Sequence, residues 1–301
     1  MNYNNYKSDF YLNNFVFWGT DDFSVNAIET LFENKIIPKL IITVPDKPAG
    51  RGQKTKSSSL KIWAEEKNKQ NFKIEIWQPE KLDENFLEKI KTMGLDYFIV
   101  ASYGKIIPEN ILLSAKLGAI NIHPSLLPLY RGPSPIETSI LEDRKKTGVT
   151  IILMDEKMDH GPILERRILN IKEWPNKNDL EKQMAVMGAE MLVSLIPKWF
   201  KNDIVKKEQE HPDATFTKKI KKEDGLIEIK NLESRQTFLK IQALNPWPGA
   251  YFFIEHLNKK TRIKITKAEF VGGKTLIKKV IPEGKKEMTF EDFKKGFGFK
   301  F

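Results

Sequence analysis

Cysteine is absent from this 301-residue chain. Its absence removes disulfides, thiolate catalysis and Cys-ligated zinc or iron–sulfur centres, and it fits a reducing cytoplasm. No run of 18 apolar residues occurs, so no membrane-spanning helix and no membrane partner are expected. The opening stretch MNYNNYKSDFYLNN is polar and lacks the apolar centre of a secretory signal; residues 1–13 read as a polar tail. The motif content has gaps as well. There is no GxxxxGK[ST] phosphate loop, no GxSxG elbow and no HExxH helix. The first strand–helix turn, GTDDFS, offers Gly19 without the two further glycines of a dinucleotide-binding turn, so neither a nicotinamide nor a flavin is expected.

What is present divides in two. The net charge is +10. As far as Pro197, Lys plus Arg and Asp plus Glu number 26 each; from Lys198 onward they number 24 and 14. A neutral part joined to a basic part points to chemistry in the first and a polyanion on the second. The hydrophobic pattern changes at the same place. Apolar strand-like runs at 14–19, 39–44, 73–77, 95–102 and 119–123 alternate with helical periodicity at 23–35, 59–70 (Ser59 as cap) and 82–93. Two more strands read at 147–155 and 163–171, and a helix at 178–200. This rhythm predicts an α/β Rossmann-like domain with a parallel sheet over residues 1–200. Residues 201–217, polar and without periodicity, read as a linker. Over 218–301 a helix at 232–244 accompanies short β-like runs beginning at GLIEI, YFFIEHL, RIKITKAEFV, TLIKKVI and MTFEDFKKG, which predict a small OB-like β-barrel. Within the first domain, PDKPAGRGQKTKSSS (45–59) reads as an inserted basic loop.

Histidine is scarce, at four residues. One of them closes an apolar strand, in GAINIHPSLLPLYRGPSP (118–135). Residues two apart on a strand share a face, so Asn121 and His123 project together at the carboxyl end, where open α/β sheets bind ligands. An amide and an imidazole aimed at one point can donate to a developing oxyanion. A carboxylate facing His123 would orient the ring. MDEKMDHGPIL (154–164) offers Asp155 and Asp159 for this, and the residues alone do not choose between them.

These stretches resemble a known family. NIHPSLLPLYRGPSPI (121–136) and TGVTIILMDEKMDHGPIL (147–164) resemble the signature of the folate-dependent formyltransferases, and DYFIVASYGKIIP (96–108) resembles a third landmark. FWGTDDFS, PDKPAGRG, IQALNPWPGAYF and VIPEGKKEMTFEDFKKG are similar to segments of the methionyl-tRNA formyltransferases, so the resemblance runs from about Phe15 to Gly296. Three departures stand out: GTDD replaces Gly-Thr-Pro, Glu137 stands where Gln is common, and the stretch between Phe270 and Leu276 is short.

The resemblance implies formyl transfer from 10-formyltetrahydrofolate to methionyl-initiator tRNA, without a metal. Asn121, His123 and Asp159 would be catalytic, with Asp155 structural. Ser125, Leu126, Leu127 and Pro128 would line the folate site with backbone groups and apolar surface. Arg51, Lys54 and Lys56 of the basic loop would meet tRNA, together with the basic C-terminal domain. A monomer is expected. A sugar-nucleotide N-formyltransferase, or an inactive RNA-binding relative, is the alternative reading.

Overall fold

The computed structural model describes residues 10–49, 54–256 and 259–299. Its larger sheet has seven strands in the spatial order β5-β2-β1-β6-β7-β8-β9. These are β1 (Phe15–Gly19), β2 (Leu40–Ile42), β5 (Glu75–Trp77), β6 (Tyr97–Ala101), β7 (Ala119–His123), β8 (Lys146–Leu153) and β9 (Ile163–Asn170). The first five in that order run parallel. β8 lies antiparallel to β7, pairing His123 with Thr150. β1 and β6 are buried along their whole length. That is why they read as unbroken apolar runs rather than alternating ones: helices cover both faces of a parallel sheet.

The helices begin where side chains can satisfy their first free N–H groups. Asp21 accepts from Ser24 N at the start of α1 (Asp22–Glu33), so the first aspartate of GTDD caps a helix. Ser58 accepts from Lys61 N at α2 (Ser59–Lys69), one residue earlier than the expected Ser59. Asp83 caps α3 (Glu84–Lys91). One core gathers around Trp18, whose ring meets Tyr103 edge-on at 5.0 Å and packs with Leu40, Phe86, Phe98 and Ile111. Burying each such side chain stabilises the fold by roughly 1.5–3 kcal/mol.

The strand that carries Asn121 and His123 is backed by α6 (Lys177–Phe200), at Gly188. A Cβ at Gly188 would lie 2.3 Å from Ile122 Cγ2 and 3.3 Å from Val149 Cγ1. Ile122 therefore faces the helix. Its neighbours Asn121 and His123, one residue either side, face away from it by the pleat.

The expected basic loop differs in the structure. Its ends form an antiparallel ribbon, β3 (Lys47–Ala49) with β4 (Lys54–Lys56), in the register Lys47↔Lys56, Pro48↔Thr55, Ala49↔Lys54. Three residues on each strand are too few to show a strand pattern. Arg51 lies outside the described residues.

The smaller sheet is antiparallel, in the order β10 (Ala250–His256), β11 (Lys259–Val271), β12 (Lys274–Pro282), β13 (Met288–Thr289). β11 and β12 meet in a two-residue turn, Gly272-Gly273, with φ of 58° and 80°. Both positions need the left-handed region that glycine enters freely, and this tight hairpin is what the short Phe270–Leu276 stretch forms. Two β expectations are corrected. GLIEI spans the end of one 3₁₀ turn and the start of another, with a single bridge from Leu226 to Tyr251. MTFEDFKKG supplies two strand residues and then α8 (Phe290–Phe297), capped by Thr289. There Phe290 and Phe293 bury together against Phe252, Ile263 and Val280, a helical three-residue spacing that places both on one face.

The chain forms two compact units whose boundaries differ from a single cut near residue 200. One runs to Arg131 and includes Gly148–Leu169 and Glu181–Thr215; the other takes Gly132–Thr147, Asn170–Leu180 and the residues from Phe216 onward. Inside the second unit, α5 (Pro135–Leu141) packs on α7 (Arg235–Leu244). Asp143 accepts from both Nε and Nη2 of Arg235 at 2.8 Å and from Trp174 Nε1 at 2.9 Å. Glu137 pairs with Lys177 at 2.8 Å. Among the described residues, no helix is long and apolar enough to cross a membrane.

Gly188→Ala should destabilise the protein by about 1–3 kcal/mol through overpacking against Ile122, although alanine is the better helix former. A melting temperature equal to or above wild type would show that α6 can retreat. A second outcome concerns Asp143, whose carboxyl is lowered from 3.8 to about 2, first by its hydrogen bonds from Arg235 and against the smaller opposing effect of burial. A depressed folded-state value stabilises the protein above the unfolded value, and the gain disappears as pH falls through the folded one. The stability gap between wild type and Arg235→Met, about 1 kcal/mol after solvent screening, should therefore be full above pH 4 and close towards pH 2. Denaturation curves across that range will show it; a gap that is constant with pH would refute the assignment.

Candidate active site

His123 ends β7 and is 4% exposed. Both of its ring nitrogens are engaged. Nε2 lies 3.1 Å from the Tyr130 carbonyl, which can only accept, so Nε2 carries a hydrogen. Nδ1 lies 3.4 Å from Asp159 Oδ1. Of the two candidate carboxylates, Asp159 is thus the one facing His123. Asp155 is occupied elsewhere: Oδ1 accepts from Lys157 N at 3.0 Å, and Oδ2 lies 2.7 Å from His160 Nδ1. Asp159 has φ of 52°, a left-handed conformation that costs a non-glycine residue on the order of 1 kcal/mol.

Asn121 is half-buried on the same strand face. Among the described residues its side-chain amide makes no hydrogen bond within the protein. An amide at a strand end with open donors is suited to an arriving oxygen. The expected donor pair is qualified at His123, because its Nε2–H is already taken: Tyr130, at φ of 62°, turns its carbonyl onto the ring.

The loop after His123 is built tightly. Ser125 N donates to His123 O at 2.9 Å and Ser125 Oγ to Leu129 O at 2.6 Å. Thr150 on β8, fully buried, pins the loop from below; its hydroxyl donates to Ser125 O at 2.6 Å and accepts from Leu127 N at 3.1 Å. Leu127 O accepts from Arg166 Nη1 at 2.9 Å, and Pro128 O from Thr215 N at 3.3 Å. Ser125 and Leu127 are buried, whereas Leu126 and Pro128 are half-buried. The backbone groups expected to line a folate site are thus largely committed to holding the loop. What the segment presents outward is apolar surface from Leu126 and Pro128.

Further groups adjoin the pair. Arg131, 4% exposed, donates from Nη2 to Gln209 Oε1 at 2.7 Å and to His211 Nδ1 at 2.9 Å. Burial lowers its ionisation from the ordinary arginine value, against the pull of the Asp159 and Asp155 carboxylates. His211 stacks on His160 with ring centroids 4.0 Å apart. Gln209 donates from Nε2 to the carbonyls of Asp159 at 2.9 Å and Gly161 at 2.8 Å. Gln209, His211 and Thr215 all come from the stretch read as a linker. Isolated polar residues without periodicity carry no signal of a buried role, which is why the sequence does not disclose them. Lys56 is exposed on β4, and Lys54 lies on the same strand.

Residues 14–196 match the formyl transferase family, and residues 219–276 match the formyl transferase C-terminal domain. The chain is 35% identical to the methionyl-tRNA formyltransferase of Thermodesulfovibrio yellowstonii over 93% of its own length and 95% of that protein. It is also 35% identical to the methionyl-tRNA formyltransferase of Thermotoga maritima, over 93% and 94%. Among solved structures, a methionyl-tRNA formyltransferase from Clostridium thermocellum superposes with a TM-score of 0.59 at 20% identity, over 90% of this chain and 98% of that one. A 4-N formyltransferase from Francisella tularensis gives a TM-score of 0.61 at 19% identity, over 83% and 96%. At those identities the solved structures speak for the fold alone.

Proposed function

The chain belongs to the methionyl-tRNA formyltransferase family, and from that premise we propose that it transfers a formyl group from 10-formyltetrahydrofolate to the free α-amine of methionyl-initiator tRNA. The observation that carries this reading is the His123–Asp159 pair beside the open amide of Asn121, at the carboxyl end of a parallel strand. Folate supplies the formyl carbon already activated on nitrogen. The methionine amine forms a C–N bond to that carbon, and the carbonyl oxygen takes up negative charge as it does so. Asn121 donates to this oxygen. The attacking nitrogen must shed a proton, and Asp159 is the base within reach of the same point. The C–N bond to folate then breaks, and the proton returns to the departing nitrogen. His123 faces Asp159 and keeps it in place. Their 3.4 Å separation is longer than a charge-assisted hydrogen bond; such bonds commonly tighten only when substrate is bound.

The assignment of Leu126 and Pro128, with Ser125 and Leu127 beneath them, to the folate side rests on their place directly after His123. RNA binding is assigned to the basic excess after Pro197 and to the β3–β4 ribbon, with Arg51, Lys54 and Lys56 as its contacts. Lys47 and Lys56 are directly opposed across that ribbon, and both are exposed. Like charges in that position repel, and a phosphate between them would relieve the repulsion. The protein acts as a monomer in the cytoplasm on this reading. An amino-sugar nucleotide is the competing acceptor; formyl transfer to it in preference to methionyl-tRNA would overturn the proposal.

His123→Ala, Asn121→Ala and Asp159→Asn should each lower turnover on methionyl-tRNA by about 100-fold or more, the usual loss for one such group. If Asp155→Asn is crippling while Asp159→Asn is mild, the base has been misassigned. Arg51→Ala and Lys56→Ala should raise KM for methionyl-tRNA and leave KM for the folate unchanged. Each phosphate contact removed should flatten the log–log salt dependence of RNA binding by roughly 0.9. An unaltered salt slope in both variants would remove the ribbon from the RNA interface.

A further inference from the structure

Residues 207–215 run back along the loops that carry the His–Asp pair. Lys207 exchanges two backbone hydrogen bonds with Ile163, at 2.7 and 2.9 Å. Gln209 is 4% exposed, and all of its side-chain polar capacity is directed inward. Thr215 O accepts from Arg131 N at 2.9 Å, and Thr215 Oγ1 accepts from Tyr130 N at 2.8 Å. From this arrangement we infer that Gln209, seconded by Thr215, is a positioning residue for formyl transfer: the strap at 207–215 sets the approach of Asp159 to His123 from outside the site. The inference rests on the function proposed above.

Asp159 sits in a left-handed backbone conformation, with φ of 52°. Aspartate enters that region more readily than most residues, yet still at some cost, so contacts to its backbone help hold it there. The Gln209 amide does so with one NH2 that spans two carbonyls, Asp159 O at 2.9 Å and Gly161 O at 2.8 Å. The orientation of that amide is itself set. Its oxygen takes hydrogen bonds from Arg131 Nη2 at 2.7 Å and Nε at 3.3 Å, and a guanidinium can only donate, so the NH2 must face the carbonyls. On the other side of His123, Thr215 fixes Tyr130 through its N–H, and the Tyr130 carbonyl receives His123 Nε2. One short segment therefore supports both neighbours of the imidazole. Gln209 bonds to the backbone carbonyls of Asp159 and Gly161, so its effect passes through backbone position. A displacement of about 1 Å in a catalytic group is enough to cost on the order of 100-fold in rate.

The test uses the full-length chain. Gln209→Glu keeps an acceptor for Arg131 and removes both donations to the 159–161 turn. Gln209→Met keeps the length and removes both functions. Steady-state rates are measured with 10-formyltetrahydrofolate and methionyl-tRNA for wild type, both variants, Asp159→Asn and the double variant Gln209→Glu/Asp159→Asn. Expected is a fall in kcat of about 10- to 100-fold for Gln209→Glu, with KM for either substrate within about threefold of wild type. In the Asp159→Asn background the same change should cost less than about threefold more, because both act on one path. Thr215→Val, read in the same way, should lower kcat with KM unmoved. The inference is overturned by wild-type kcat in both Gln209 variants, by a loss carried by KM, or by full multiplicative loss in the Asp159→Asn background. If Gln209→Glu does not fold, Gln209→Met and Thr215→Val decide by the same criteria. Wild-type enzyme that leaves methionyl-tRNA unformylated would defeat the functional proposal instead, so the two failures are told apart by the first measurement.

Discussion

An imidazole and a carboxylate from different loops have to meet at the end of one strand, and much of the first compact unit can be traced to that requirement. His123 is placed by β7, which is fixed on one side by β6, on the other by β8, and from behind by the close approach of α6 at Gly188. Asp159 is placed by the turn between β8 and β9. Neither element reaches the other without help. Thr150 ties the loop after His123 to β8, and Gln209 ties the Asp159 turn to Arg131. All but the part-buried Gln209–Asp159 bond join groups that burial has taken out of water. Such bonds are worth little in net stability, yet leaving either partner unmatched is expensive. That asymmetry turns a set of modest contacts into a fixed geometry.

The same physics explains what could be read in advance. The parallel sheet was legible because β1, β2 and β6 bury both faces and therefore read as continuous apolar runs. Asn121 and His123 were legible because polar side chains at the end of such a run need a reason to be there. The choice between Asp155 and Asp159 was not, since both lie in a turn, where side-chain direction depends on backbone dihedrals and not on alternation; family resemblance pointed to Asp159, the carboxylate that lies 3.4 Å from His123 Nδ1. Gln209 and Thr215 lay in a stretch with neither periodicity nor apolar content. Their burial comes from hydrogen bonds to distant backbone, which leave no local trace. Elements whose type was misread, GLIEI and MTFEDFKKG, are short, and in short segments a helical and a strand pattern of apolar residues coincide.

Electrostatics divides differently from chemistry. The site contains charges arranged for local purposes: Asp155 with His160, Asp159 with His123, and Arg131 buried beside both acids. The surplus of positive charge lies in the sequence after Pro197. A large polyanionic substrate is attracted by a field that extends over several ångströms and weakens with salt. The reacting amine responds only to groups in contact with it.

The interleaving of the two units bears on how such a protein can be inherited. The second unit draws on Gly132–Thr147 and Asn170–Leu180 as well as the residues from Phe216 onward. A chain ended after Thr215 would retain Asp143 without Arg235, and the Trp174 carbonyl without its donor Gln242. A chain ended near Asp203 would also lack Gln209 and Thr215. No single crossover between genes can therefore hand on one unit intact and leave the other behind. Exchange of the C-terminal part alone would need two further segments to travel with it, so its gain or loss by recombination would have to be accompanied by point changes around α5 and Trp174.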